Sequence, residues 1–266
     1  MPSCSDCICC RFCICPIVNC ITKDVSMKIL VISDIHGNME ALSSVIQIPH
    51  DEVLCLGDLV DYGPSPVEVI EFLKARNIKV LKGNHDNAVA TGLECGCSDE
   101  LKYLSIATRD YTRAHLDKSH IDYLKSLPSE IEMEFGGGKV YFTHGSPRSF
   151  YDYIRQETSE NELRKMIGEI DADLLLVGHT HMPFERQVND LRIVNVGSVG
   201  QPRDGDPRAS CVLLDTATLE TEFIKTDYDI DSVVVQVSEK MPYAEELISV
   251  METGKTDHAK RIGDNP

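Results

Sequence analysis

The sequence is short of positive charge. Its 26 Lys and Arg face 43 Asp and Glu, a formal net charge of −17 over 266 residues. Residues 1–26 add nothing to that excess, because Arg11 and Lys23 offset Asp6 and Asp24, so the acidity belongs to the body of the chain. A field of this sign repels phosphate backbones at long range and excludes broad electrostatic binding to nucleic acid or an anionic membrane. An anionic substrate must therefore be drawn in locally, for instance by bound cations. Also missing is any uninterrupted apolar run near the roughly 20 residues of a membrane helix. The N-terminus has no basic start followed by a clean apolar stretch, so a cytoplasmic location is expected. Cysteine is scarce in the body, at Cys55, Cys95, Cys97 and Cys211, while Cys4, Cys7, Cys9, Cys10, Cys13, Cys15 and Cys20 crowd the head. That distribution excludes a disulfide-built domain. What the chain does have is 42% hydrophobic residues, enough for a packed core.

Composition breaks at Met27, where the run Met27-Lys28-Ile29-Leu30-Val31-Ile32-Ser33 reads as a buried strand. Residues 1–26 are expected to be a Cys-rich leader, disordered or lying before the true start at Met27; a thiol-metal segment is the other reading. Residues 27–252 form one domain and 253–266 a polar, frayed tail. Further apolar runs at 53–56, 78–81, 139–143, 174–177, 192–196, 210–214, 221–225 and 232–238 are expected strands. Helical patterns fall at 39–47, 66–76, 100–107, 121–127, 161–168 and 241–251. The alternation predicts an α/β fold with a mixed sheet or two packed sheets.

Polar residues concentrate directly after strands. Ser33-Asp34-Ile35-His36-Gly37-Asn38 follows the first run and Gly57-Asp58-Leu59-Val60-Asp61 the second. Gly83-Asn84-His85-Asp86, His144-Gly145 and Gly178-His179-Thr180-His181 follow the next three. Carboxyl ends of strands in an open α/β sheet converge on one crevice, so these groups should meet in space. The adjacent glycines suit sharp turns or close backbone approach. Taken singly, each group has a bland reading as a helix cap, a turn residue or a structural histidine. Together, Asp34, Asp58, His36, His144, His179, His181 and the Asn84 amide oxygen exceed what one ion takes from protein. They suit two ions about 3.5–4 Å apart sharing a carboxylate, the arrangement used for in-line phosphoryl chemistry. Mixed O and N donors without thiolate favour Mn, Fe, Zn, Co or Ni over Ca or Mg.

These blocks, in this order over residues 28–181, resemble the calcineurin-like metallophosphoesterase superfamily, in particular its small, single-domain phosphodiesterase-like members. The resemblance implies a four-layer α/β/β/α sandwich of two mixed sheets flanked by helices, with a dinuclear metal centre at one edge. It implies one metal on Asp34, His36, the bridging Asp58 and His181, and the other on Asp58, Asn84, His144 and His179. A metal-bridging hydroxide would attack phosphorus, and His85 would act as general acid or transition-state stabiliser, oriented by Asp86 or another carboxylate. Asp61, Asn195 and Arg203 are expected near the metals or the substrate.

Protein phosphatases and symmetric diadenosine tetraphosphatases of the superfamily carry Arg after the second Asp of the Gly-Asp block. Tyr62 stands there in this chain, which argues against a dedicated phosphoprotein phosphatase. Arg203 and Arg148 are candidate phosphate contacts, each readable equally as an exposed loop arginine. Cys95-Gly96-Cys97 is a thiol pair in a polar stretch, reduced by default. The expected partner is a small phosphorylated substrate, without bulk nucleic-acid or membrane binding; a homo-oligomer stays open. The leading expectation is a phosphodiesterase, the alternatives a diadenosine polyphosphate or other nucleotide hydrolase and a non-catalytic binding module on the same fold.

Overall fold

The computed structural model describes residues 26–97 and 101–256. The expected leader, apart from Ser26, and the tail beyond residue 256 lie outside the described residues. Ten strands form two five-stranded sheets. The first holds β1 (Lys28–Ile32), β2 (Glu52–Cys55), β3 (Lys79–Val80), β9 (Ala209–Asp215) and β10 (Thr221–Thr226), in the order β10-β9-β1-β2-β3. The second holds β4 (Glu130–Phe135), β5 (Gly138–Thr143), β6 (Leu174–Val177), β7 (Phe184–Val188) and β8 (Leu191–Asn195), in the order β4-β5-β6-β8-β7. Each sheet has three parallel strands, β1-β2-β3 and β5-β6-β8, with antiparallel neighbours beyond them.

β6 is apolar and buried throughout, and β1 from Ile29 onward, because both faces of these central strands are covered. Ile29 and Val31 of β1 meet Leu174 and Leu176 of β6 in the core between the sheets, which also holds Leu54, Phe142 and Val194. Leu30 and Ile32 point the other way, onto α1 (Met39–Val45) and α2 (Pro66–Ala75) through Leu42, Ile70 and Leu73. The outer face of the second sheet uses Leu175, Val177 and Ile193 to cover Leu163 and Ile167 of α6 (Glu160–Ile167). The order helix, sheet, sheet, helix is therefore set by strict two-residue alternation in short strands. α3 (Asn84–Thr91) and α5 (Lys118–Ser126) complete the first helical layer. α4 (Lys102–His115), α7 (Ile230–Lys240) and α8 (Ala244–Thr253) pack together around Leu104, Val233, Val237 and Leu247, with Tyr62 at their edge. Among the described residues no helix is long and apolar enough to cross a membrane.

One expected strand is a helix. Ser232–Ser238 is rich in valine and reads as β, yet it lies inside α7. Asp229 caps the helix by accepting from the Ser232 amide at 3.0 Å, and Val233 and Val237, one turn apart, are buried while Val235 stays 54% exposed. The 3.6-residue period of burial outweighs the β-propensity of valine. Two edge strands, β4 and β7, and the helix α3 were not expected; β4 alternates Glu130, Glu132 and Glu134 with the half-buried Ile131, Met133 and Phe135.

Candidate metal centre

The carboxyl ends of the parallel strands of both sheets meet at one edge of the sandwich. There the loops after β1, β2, β3, β5 and β6 bring together Asp34, His36, Asp58, Asn84, His144, His179 and His181, all essentially buried. The backbone shows how tightly these loops turn. Asp34, His36, Asp58, Asp61, Tyr62, His179 and His181 all have φ between 47° and 67°, the left-handed region that non-glycine residues rarely occupy. Such strain persists only where surrounding contacts hold it, and it clusters at functional sites. Those contacts include Asp34 N to Gly57 O at 2.9 Å, His36 N to Asp58 O at 3.0 Å and Gly200 N to Asp34 O at 3.0 Å. Two glycines are required by close approach. A Cβ on Gly83 would lie 2.0 Å from Asp58 Oδ1, and one on Gly178 would lie 2.1 Å from Ser33 Oγ and 2.7 Å from Asp34 Oδ2.

Each carboxylate is split between two tasks. Asp34 Oδ2 accepts the His179 amide at 3.0 Å and Asp58 Oδ1 accepts the His85 amide at 2.9 Å. The other oxygen of each, Asp34 Oδ1 and Asp58 Oδ2, is buried without a hydrogen-bond partner, as is His179 Nε2. The imidazoles are aimed at those oxygens. His36, His181 and His144 give Nδ1 to the carbonyls of Val60, Gln201 and Leu56 at 2.9, 2.6 and 3.1 Å, which leaves each Nε2 as a lone pair facing inward. His36 Nε2 and His181 Nε2 then face each other at 3.2 Å, and His181 Nε2 lies 3.2 Å from Asp34 Oδ1. Likewise Asn84 donates through Nδ2 to the Cys95 carbonyl at 2.7 Å, so its Oδ1 faces His144 Nε2 at 3.0 Å. Acceptors facing acceptors in a buried site repel unless a cation sits between them.

Two donor groups result, Asp34-His36-His181 and Asp58-His144-His179, each with its ligand atoms within 4.8 Å of one another. Asp58 Oδ2 ties them together, at 3.3 Å from His144 Nε2 and 3.8 Å from His36 Nε2. Burial and neighbouring imidazoles push His36 and His179 below the usual histidine range, and burial with the Arg203 charge does the same to His181. Burial opposes the charges of Asp34 and Asp58, but the surrounding histidines win and hold both carboxyls low. Against burial, Asp58 and Asp34 draw a proton onto His144, pushing it up to about 9, as expected where anionic oxygens converge without a cation. Donor types, orphaned atoms and ionisation together fit divalent metal ions.

A family model described as the calcineurin-like phosphoesterase superfamily domain matches residues 27–219. The chain belongs to this superfamily. By that membership it is a phosphoester hydrolase. Over 227 residues it is 33% identical to the uncharacterized protein MJ0912 of Methanocaldococcus jannaschii, covering 77% of this chain and 90% of that one. Over 207 residues it is 25% identical to phosphodiesterase YfcE of Escherichia coli K12, covering 73% and 90%. Among solved structures it is similar to a metallophosphoesterase from Sphaerobacter thermophilus, with 31% identity, a TM-score of 0.71 and coverage of 86% and 100%. The hypothetical protein PH1004 from Pyrococcus horikoshii gives 27% identity, a TM-score of 0.74 and coverage of 85% and 98%.

In this phosphoesterase the remaining expected site residues divide. His85 sits beside the Asp/His cluster, its ring 5.1 Å from that of His36, with Nδ1 held by Asp61 Oδ2 at 2.8 Å. Burial disfavours its charge, yet Asp58 and Asp61 raise it to about 9. Asp86, expected as one candidate to orient His85, does other work: it accepts the amides of Asp58, Leu59 and Gly83 at 2.8, 2.9 and 3.0 Å and so clamps the start of α3 against the Asp58 loop. Asn195 braces the loop after β6 by donating to the Gly178 carbonyl at 2.6 Å and Thr180 Oγ1 at 3.0 Å, and its Oδ1 accepts the Gly197 amide after β8 at 2.9 Å. Arg203 reaches the rim of the site, 5.9 Å over the Tyr62 ring, with its Nε buried and unpartnered. Arg148 is turned to Asp152, bonding both carboxylate oxygens at 2.8 Å. Two tyrosines escaped sequence reasoning as site residues. Tyr62 lies with its ring 4.9 Å from both His36 and His85, and Tyr153 covers His179 at 3.9 Å. Tyr62 stands in the Gly-Asp block and was legible by position; Tyr153, on the loop between β5 and α6, had no sequence signal.

Proposed function

We propose that this chain is a phosphodiesterase for small substrates, working through two divalent cations. Asp34, His36, Asp58 and His181 would hold one, and Asp58, Asn84, His144 and His179 the other, with Mn, Fe, Zn, Co or Ni the fitting metals. The observation that carries the reading is the pair of buried, unpartnered oxygens, Asp34 Oδ1 and Asp58 Oδ2, each facing imidazole nitrogens. When bound, such a cation pair lowers the pKa of a water and neutralises phosphoryl oxygens. The protein's own groups supply the rest. Asp61 fixes Nδ1 of His85, which leaves Nε2 to deliver a proton to a departing alkoxide. Tyr62 packs edge-on against His36 and backs His85, so that both rings are held in one orientation. Arg203, at the rim, can meet a phosphate oxygen.

Hydrolysis of bis(p-nitrophenyl) phosphate with added Mn²⁺ or Ni²⁺, abolished by chelator and restored by metal, is the expected result. Metal-loaded protein inert toward phosphodiesters, phosphomonoesters and nucleotides alike would overturn the reading. Preference for dinucleoside polyphosphates within the same panel would move the substrate class to nucleotides and leave the metal chemistry in place.

A further inference from the structure

Cys95 and Cys97 take no part in the proposed hydrolysis, yet their placement is specific. Both are free thiols, and their sulfurs lie 2.9 Å apart across Gly96. Cys95 Sγ also meets Ser105 Oγ at 3.0 Å. Cys95 is buried, whereas Cys97 is half-buried in the wall of a cleft of about 320 Å³ that Lys102, Arg109 and Arg113 line against Glu94 and Asp110. The backbone of this thiol pair reaches the metal-ligand cluster directly, because the Cys95 carbonyl is the group that accepts Asn84 Nδ2 at 2.7 Å.

The geometry points to a reversible thiol–disulfide site at Cys95 and Cys97 whose closure releases the Asn84 side chain and weakens the cation position that Asn84 serves. The oxidant class is a low-molecular-weight disulfide such as glutathione disulfide. The Cys97 sulfur, at the cleft wall, attacks one sulfur of the reagent as its proton leaves and expels one glutathione thiolate, leaving a mixed disulfide. Cys95 then attacks the Cys97 sulfur and expels the second. The two thiol protons pass to the two departing thiolates; the cysteine pair is oxidised by two electrons and the reagent reduced by the same two.

Closure has to draw the sulfurs together to about 2.05 Å. The turn has little room to yield on its outer side. Gly96 sits at φ +68°, and a Cβ there would lie 2.9 Å from the Tyr151 ring. Tyr151 is itself held through its hydroxyl by Asn87 at 3.0 Å. The proposal requires that part of this movement fall on Cys95, which leaves Ser105 and carries its carbonyl away from Asn84. With no acceptor for Nδ2, the Asn84 amide is free to rotate and Oδ1 loses its fixed aim at His144. Loss of such a supporting hydrogen bond weakens metal binding about 10- to 100-fold.

The coupling rests on the metal-centre reading; formation of the disulfide does not, and the two are measured separately. Full-length protein is treated with glutathione disulfide, alkylated under denaturing conditions and only then digested with trypsin. Residues 83–102 form one tryptic peptide holding Cys95 and Cys97 and no other cysteine, so the head cysteines do not interfere. That peptide is expected to lose two hydrogens and resist alkylation until dithiothreitol is added. In parallel, Mn²⁺ retained after gel filtration is expected to fall from two equivalents toward one, reversibly, and to stay unchanged in Cys97→Ser. A peptide that remains fully alkylated, or a closed disulfide with Mn²⁺ retention unaltered, overturns the proposal. Reduced protein that retains no Mn²⁺ overturns the metal reading and the coupling with it, while the peptide result still decides the disulfide.

Discussion

The two halves of the donor cluster are built differently. In the Asp34-His36-His181 half, both rings give Nδ1 to backbone carbonyls, Ser198 Oγ braces the Asp34 carbonyl at 2.8 Å, and all three residues are locked in left-handed turns. In the other half Asp58 and His179 also occupy left-handed turns, but of its two rings His144 alone gives Nδ1 to a backbone carbonyl. His179 is positioned by the rings of Tyr153 and His144, at 3.9 and 5.0 Å, and Asn84 depends on the Cys95 carbonyl. The first half is held by backbone carbonyls of the loops after β2 and β8; the second depends partly on Tyr153 in the loop after β5 and on the Cys95 carbonyl after α3. One half is therefore expected to bind its cation tightly and the other to be adjustable.

The largest effect belongs to the residue both halves share. Asp58→Asn is expected to cut phosphodiester turnover by on the order of 10³-fold and to lower the content of both cations, measured by elemental analysis after gel filtration. Loss of one cation alone would show that the halves are not joined through Asp58. His85→Asn lies outside both halves, so it should leave two cations bound while lowering turnover about 10²-fold or more for alkyl leaving groups. With p-nitrophenolate, which leaves without protonation, the loss should be much smaller; equal losses would remove the acid role. Asn84→Ala should weaken one cation by roughly 10- to 100-fold, seen as a biphasic Mn²⁺ titration, with the other step unmoved. Tyr153→Ala, which only loosens His179, should shift that same weak step by a few-fold. A shift in the tight step by either substitution would erase the distinction between the halves.

The fold and the gathering of the candidate donors were legible because both depend on short-range pattern. Buried strands announce themselves as apolar runs, and the candidate donors fall where those runs stop at Asp, Asn or His beside glycine. The features that escaped are set by tertiary contact. Valines at 233 and 237 are buried one turn apart on a helix capped by Asp229, which local β-propensity hides. β4 carries a plain Glu/apolar alternation that could have been read, whereas Phe184–Val188 has no such regularity and owes its strand to pairing with β8. The partition of Asp61 to His85 and of Asp86 to three backbone amides follows from loop geometry that spacing does not encode. Tyr153 meets His179 only because the loop after β5 folds back over the crevice.

A crystal soaked in Mn²⁺ and measured by anomalous scattering near the manganese edge tests the central claim most directly. Two peaks about 3.5–4 Å apart on either side of Asp58 Oδ2 are expected, the one near Asn84 at lower occupancy in dilute metal. A single peak, or metal bound away from Asp34 Oδ1 and Asp58 Oδ2, would contradict it.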